Sequence, residues 1–185
     1  ADFPGLDAGN SAMIRLAMAQ EELQCLDFEP PGRLWLRLGG LSAAVDGRVD
    51  RVRNLLQQVD AGVKNEVLSG TWDAQAWNDA REFRWVPADH QLIKLPISSA
   101  QVVIAEQLLT EASFESVRRY SVGGNVLWLA VPQMVGGDEV DRLCQQLGRP
   151  ALALAGSWSD PQRGPRHGQA FAERLLTGFD PDSRF

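Results

Sequence analysis

The sequence predicts an α+β protein in which two ferredoxin-like (βαββαβ) units share one mainly antiparallel sheet with helices on one face. Three observations carry this. Ser116 to Pro132 reads as a β-hairpin, because alternating residues flank Gly123-Gly124-Asn125 and such residues supply the positive-φ positions of a tight turn. Leu23 to Phe28, a turn at Glu29-Pro30-Pro31-Gly32 and Arg33 to Gly39 read as a second hairpin. Both carry Leu-Trp-Leu on the returning arm, at Leu34–Leu36 and Leu127–Leu129, so one unit is expected twice.

Residues 1–10 hold Pro4, Gly5 and Gly9 and read as loop. Ser11 to Gln20 reads as a helix with Met13, Leu16 and Ala17 inward, capped by Asn10 or Ser11. After the first hairpin, Leu41 to Val59 is the clearest helix: Val45, Val49, Val52, Leu55, Leu56 and Val59 recur at three and four. Val63 to Leu68 reads as a strand ended by Ser69-Gly70, and Thr71 to Phe83 as a helix carrying Trp77 and Arg81. Gln91 to Ile97 is a strand with Pro96 near its end. Ser98 or Ser99 caps the next helix, which carries Val102, Val103, Ala105, Leu108 and Leu109. Beyond the second hairpin, Gly136-Gly137-Asp138 opens a helix with Val140, Leu143, Cys144 and Leu147, ended by Gly148 and Pro150. Ala151 to Ala155 is an apolar strand, Ser157 to Gly168 a loop, and Gln169 to Thr177 a last helix.

The second half therefore runs strand, helix, strand, strand, helix, strand, the split βαβ order. The first half gives helix, strand, strand, helix, strand; its opening strand is missing or lies in the loop-like first ten residues. We divide the chain into a first unit over about 11–70, a second over about 91–156, and a C-terminal loop and helix over 157–185, all one domain.

At 185 residues, 44% hydrophobic and 23% charged, the chain can bury a substantial core. No apolar run approaches the roughly 18 residues of a membrane span. A net charge of −6 argues against a broad nucleic-acid surface. Cys25 and Cys144 sit in apolar patterns without a CxxC partner and read as buried thiols of a reduced, cytoplasmic compartment. The opening at Ala1 rather than Met, and the stop at Phe185 straight after Asp180-Pro181-Asp182-Ser183, read as edges cut from a longer protein.

The Leu side of each hairpin is expected to pack on the helices. The opposite face then projects Trp35, Arg37 and Trp128, with Arg118 and Tyr120, and Lys94 from the strand QLIKLPI. Such a collection of cations and aromatics on an acidic chain suits a roof over a flat aromatic ligand and a carboxylate substrate. The simpler reading is a face that packs against another domain with its long side chains snorkelling. Arg37 is the first candidate for a carboxylate, because a guanidinium fork binds it bidentately; Arg118 and Lys94 follow. The catalytic residue itself is not legible. His90 and His167 lie in no metal or triad spacing, and no glycine pair opens a phosphate-binding pattern.

These residues in this order resemble the C-terminal part of FAD-linked oxidases of the vanillyl-alcohol-oxidase type. That part ends in a helix followed by Phe-Asp-Pro, about three residues, and Phe-Asn-Pro-Gly-Arg; here the helix is Ala170 to Leu176 and the opening is Phe179-Asp180-Pro181-Asp182-Ser183-Arg184-Phe185. Within that family the likeness is to the glycolate oxidase E subunits. Leu34-Trp35-Leu36-Arg37-Leu38-Gly39 is similar to their LWIRL strand, Trp77 with Arg81-Glu82 to their Phe-Trp-x-x-Leu-Arg-Glu helix, and Gly123-Gly124 with Trp128 to their Asp-Trp-Gly-Gly stretch. Lys94 falls near a basic residue of their next strand. The resemblance implies a cap, or substrate, domain whose sheet covers the flavin ring of FAD, with Trp35, Tyr120 and Trp128 facing the cofactor. The FAD-binding domain that precedes it in the family is absent from these residues. It also implies a second flavoprotein subunit, an iron–sulfur subunit, glycolate or a related 2-hydroxy acid as substrate, and peripheral membrane association through the complex. A stand-alone ferredoxin-like binding module without catalysis is the reading from another class.

Overall fold

A computed structural model describes residues 1–166 and 168–179. His167 and the Asp180–Phe185 part of the C-terminal motif lie outside the described residues. Among the described residues, seven strands form one antiparallel sheet: β1 (Leu23–Glu29), β2 (Arg33–Leu38), β3 (His90–Pro96), β4 (Val117–Ser121), β5 (Val126–Pro132), β6 (Ala151–Ala155) and β7 (Gln162–Arg163), in the order β2-β1-β4-β5-β3-β6-β7. Six α-helices accompany them: α1 (Leu6–Met18), α2 (Ser42–Val59), α3 (Thr71–Arg81), α4 (Val102–Glu111), α5 (Gly137–Leu147) and α6 (Gln169–Phe179).

The second unit has the expected topology. Outward from the centre of the sheet its strands run β4, β5, β3, β6, each antiparallel to the next. The first unit runs outward in the same order, but two of its strands shrink to single bridges. β1 and β2 pair fully, then Asp2 bridges Arg33 and Lys64 bridges Asp2. The opening strand is thus Ala1 to Phe3, held by Ala1 N–H to Leu34 O at 2.8 Å and Phe3 N–H to Gly32 O at 2.9 Å. The strand expected over Val63 to Leu68 pairs only at Lys64. The units meet where Phe28 of β1 stands opposite Tyr120 of β4, with ring centroids 6.1 Å apart.

The first helix begins five residues earlier than expected, at Leu6, and Ala12, Met13 and Leu16 bury its inner side. It packs on β1 and against α2 and α4, and α4 packs against α5, so four helices line one face. Strand alternation feeds Leu26, Phe28, Leu34, Ile93, Leu95, Leu127, Leu129 and Val131 into the layer between. α5 is closed by Gly148 at φ 64°, a left-handed position that glycine occupies without a Cβ penalty.

One expectation about the layers is corrected. The face opposite the four helices is not open throughout, because α3 lies on it. Asp73 of α3 accepts a hydrogen bond from Arg37 at 2.8 Å, and Trp77 of α3 lies over Arg119. The sequence periodicity of Thr71 to Arg81 marks a helix but carries no information about which face receives it.

Candidate functional site

Cross-strand register decides what the second face carries. Cys25 stands opposite Arg37, Asp27 opposite Trp35, Arg119 opposite Trp128, and Lys94 opposite both Trp128 and Leu152. Paired residues point to the same side of a sheet. A row therefore crosses the face from Trp35 and Arg37 through Asp27, Arg119 and Trp128 to Lys94, ending at Leu152 and Leu154.

The row divides into a sealed part and an accessible part. In the sealed part, Arg119 is 6% exposed and donates to Asp27 at 2.9 Å and Glu29 at 3.0 Å. Its guanidinium lies 5.8 Å from the Trp35 ring centroid and 6.0 Å from that of Trp77. A cation so held by two carboxylates and two aromatic faces is fully engaged. Burial pushes the Asp27 carboxyl above its ordinary range, and Arg119 opposes that shift without cancelling it. Trp35 is half-buried, and its Nε1–H is buried with no partner among the described residues. Arg37, 38% exposed, is bound to Asp73. The first candidate for a substrate carboxylate thus already has one.

In the accessible part, Lys94 Nζ lies 5.2 Å from the Trp128 ring centroid and has no carboxylate in ion-pair reach among the described residues. Phe83 meets Trp128 edge-on at 5.0 Å, and Trp85 follows Phe83 at 6.3 Å. Phe83 closes α3 with φ 52°, a left-handed conformation uncommon for a bulky residue, and this turn sets its ring against Trp128. On the other side of Lys94, Leu152 and Leu154 are 43% and 46% exposed. Trp128, Lys94 and these leucines form a flat tract on adjacent strands, apolar except for one ammonium.

Arg118 and Tyr120 are not on this face, contrary to expectation. They stand opposite Leu129 and Leu127, on the helix-covered side. Arg118 grips Glu106 of α4 through Nε at 2.8 Å and Nη2 at 2.6 Å, and Tyr120 Oη donates to the same carboxylate at 2.7 Å. Glu106 holds the Arg118 guanidinium well above its usual range, and burial raises the Tyr120 hydroxyl. The set serves the core, and neither residue can meet a ligand on the far face. Arg119 takes the position assigned to Arg118. Asp27 and Glu29 are the further charged residues that sequence reasoning passed over, although their alternation with Leu26 and Phe28 along β1 marks them as pointing away from the helices.

Among the described residues, no three His, Cys, Asp or Glu side chains are grouped to hold a metal ion, and no helix is long and apolar enough to cross a membrane. Both cysteines are free thiols; Cys144 is buried, and burial pushes it up to about 12. Comparison with models of protein families and with curated proteins finds no match.

Proposed function

We propose that residues 1–185 form the cap, or substrate, domain of an FAD-linked oxidoreductase that oxidises glycolate or a related 2-hydroxy acid. The observation that supports this best is the tract on β5, β3 and β6: a lysine without a carboxylate partner among the described residues, beside an aromatic ring, on a flat and otherwise apolar sheet face. Its form suits one side of a planar ring system. Trp128 and the Leu152–Leu154 edge would lie against the ring and exclude water, and Lys94 would bind the carboxylate of the substrate. Bound FAD would supply the hydride acceptor. Trp35 is half-buried beside Arg119 and lines a groove with Trp77, away from the tract, so its role is to support the face rather than to touch the cofactor. Arg37 would contribute only if its bond to Asp73 opened.

In this reading the FAD-binding domain belongs to the same polypeptide outside residues 1–185, and the partners are a second flavoprotein subunit and an iron–sulfur subunit in the cytoplasm, at the membrane surface through that complex. The rival reading, a ferredoxin-like interaction module, draws support from α3, which already occupies the β2-β1-β4 part of the face.

Flavin content separates the two. The full-length polypeptide is expected to purify yellow, with FAD released on denaturation. Residues 1–185 alone are expected to show no micromolar FAD binding by calorimetry, because none of the glycine pairs in the sequence is followed by a phosphate-binding pattern. A colourless full-length protein that takes up no added FAD would remove the oxidase reading and leave the interaction module.

A further inference from the structure

The tract on β5, β3 and β6 is lopsided about its one ammonium. Register sets Lys94 between Trp128 on β5 and Leu152 on β6. The Trp128 side is filled, because Phe83 packs edge-on against the indole at 5.0 Å. Along the strands, Leu92 and Ala130 follow Lys94 and Trp128 on the same face, and both are buried. The Leu152 side is different. Leu152 and Leu154, 43% and 46% exposed, are the large apolar side chains left open to water next to Lys94, and they alternate with the buried Ala151 and Ala153. On the far side of Leu152, Gln162 of β7 is its paired residue and is exposed. The apolar shelf thus ends at Gln162, two strands and roughly 10 Å from Lys94.

Charge is as one-sided as shape. The two other cations of the row from Trp35 to Lys94 are engaged, Arg119 by Asp27 and Glu29 and Arg37 by Asp73. A ligand on the tract meets one positive charge and then apolar surface only.

On the flavin reading above, on which this rests, we infer that the tract selects 2-hydroxy monocarboxylic acids that carry an apolar chain of several carbons, and that Leu152 and Leu154 set this preference. Lys94 takes the carboxylate. Trp128 and Phe83 close one side, so the room for a substituent on the hydroxyl-bearing carbon lies over Leu152, toward Leu154. Each methylene that the leucines remove from water there raises kcat/KM roughly fourfold. Glycolate has only hydrogen to place on the shelf and leaves it uncovered. A 2-hydroxy acid with another carboxylate at the end of its chain is rejected, since the shelf strips that group of water and pairs it with no cation.

The test follows anaerobic flavin reduction in the full-length protein at subsaturating glycolate, 2-hydroxybutanoate, 2-hydroxyhexanoate and 2-hydroxyglutarate. The unaltered protein is compared with Leu154→Ala, with the double variant Leu152→Ala and Leu154→Ala, and with Ile104→Ala. Ile104, 50% exposed on α4 and away from the tract, is the control. Reduction by 2-hydroxyhexanoate is expected to be at least about tenfold faster than by glycolate, the worth of roughly two buried methylenes, and at least about tenfold faster than by 2-hydroxyglutarate. The hexanoate-to-glycolate ratio is read within each protein, so a smaller folded fraction cancels. It should fall in Leu154→Ala, approach one in the double variant and stay unchanged in Ile104→Ala. A ratio near one in the unaltered protein, a ratio that both leucine variants leave unchanged, or 2-hydroxyglutarate as fast as 2-hydroxyhexanoate overturns the chain preference and leaves the flavin reading standing. A flavin that none of these acids reduces overturns both.

Discussion

Glu106→Leu is expected to destabilise the protein by about 3–5 kcal/mol, the range for removing one partner of a buried ion pair. Glu106 is 5% exposed and, among the described residues, is the acceptor for Tyr120 Oη and the bidentate partner of Arg118. Its loss leaves an arginine that cannot deprotonate facing an apolar surface, and a fully buried hydroxyl without a partner. At roughly 2–4 °C per kcal/mol for a chain of this size, Tm should fall by roughly 6–20 °C. Tyr120→Phe should cost only about 1 kcal/mol, since Glu106 keeps Arg118. The double variant Glu106→Leu with Arg118→Leu should recover much of the loss, because replacing both charges removes the uncompensated one. Thermal melts of the four proteins check this. A double variant no more stable than Glu106→Leu would show that the pair holds α4 to β4 through more than its charges.

Arg119→Met is the second large effect, again about 3–5 kcal/mol near neutral pH. Here the stranded groups are acids, and the pH dependence is diagnostic. The Asp27 carboxyl already sits above its ordinary value of 3.8 because it is buried. A carboxyl raised in the folded state favours folding below its unfolded value, and that contribution is lost as pH rises through the folded value. Without Arg119 the folded value rises further, so Asp27 takes a proton more readily and the penalty shrinks on acidification. The difference in Tm between the unaltered protein and Arg119→Met should therefore be largest above neutrality and should narrow as pH falls toward 4. Arg51→Met, which breaks an exposed pair with Glu21, is the control and should leave Tm nearly unchanged at any pH. A deficit for Arg119→Met that widens on acidification would show that Asp27 is not the group left behind.

Both clusters bear on what the residues alone could reveal. Leu34–Leu36 and Leu127–Leu129 made both hairpins legible, because an apolar alternation beside a turn leaves one choice of inner face. The arm Val117 to Ser121 offered no such choice: Val117 and Arg119 on one side, Arg118 and Tyr120 on the other, are equally mixed. Its facing is set by register through the turn, where Val122, Gly123 and Gly124 all take positive φ and bring Arg119 opposite Trp128. The acceptor that lets Arg118 and Tyr120 turn inward is Glu106, a residue of the preceding helix whose inward direction becomes apparent only with α4 docked. Lys94 was legible because Ile93 and Leu95 flank it with clear apolar alternation. The engagement of Arg37 was not, since it depends on where α3 lands. The first strand was placed no more closely than the first ten residues, because three residues at the chain's opening carry no period.

The most direct measurement of the central claim is anaerobic reduction of bound flavin by glycolate in the full-length protein, followed as loss of its visible absorbance. The unaltered protein, Lys94→Met and Arg53→Met are compared at subsaturating substrate; Arg53 lies away from the tract, beside Asp50 and Asn65. Loss of one charge-assisted bond to the substrate carboxylate is worth about 1.5–3 kcal/mol, so Lys94→Met should be slower by roughly tenfold to hundredfold while Arg53→Met keeps the original rate. Equal rates for all three would take Lys94 and its face of the sheet out of the site, and a flavin that glycolate and other 2-hydroxy acids leave oxidised would contradict the account as a whole.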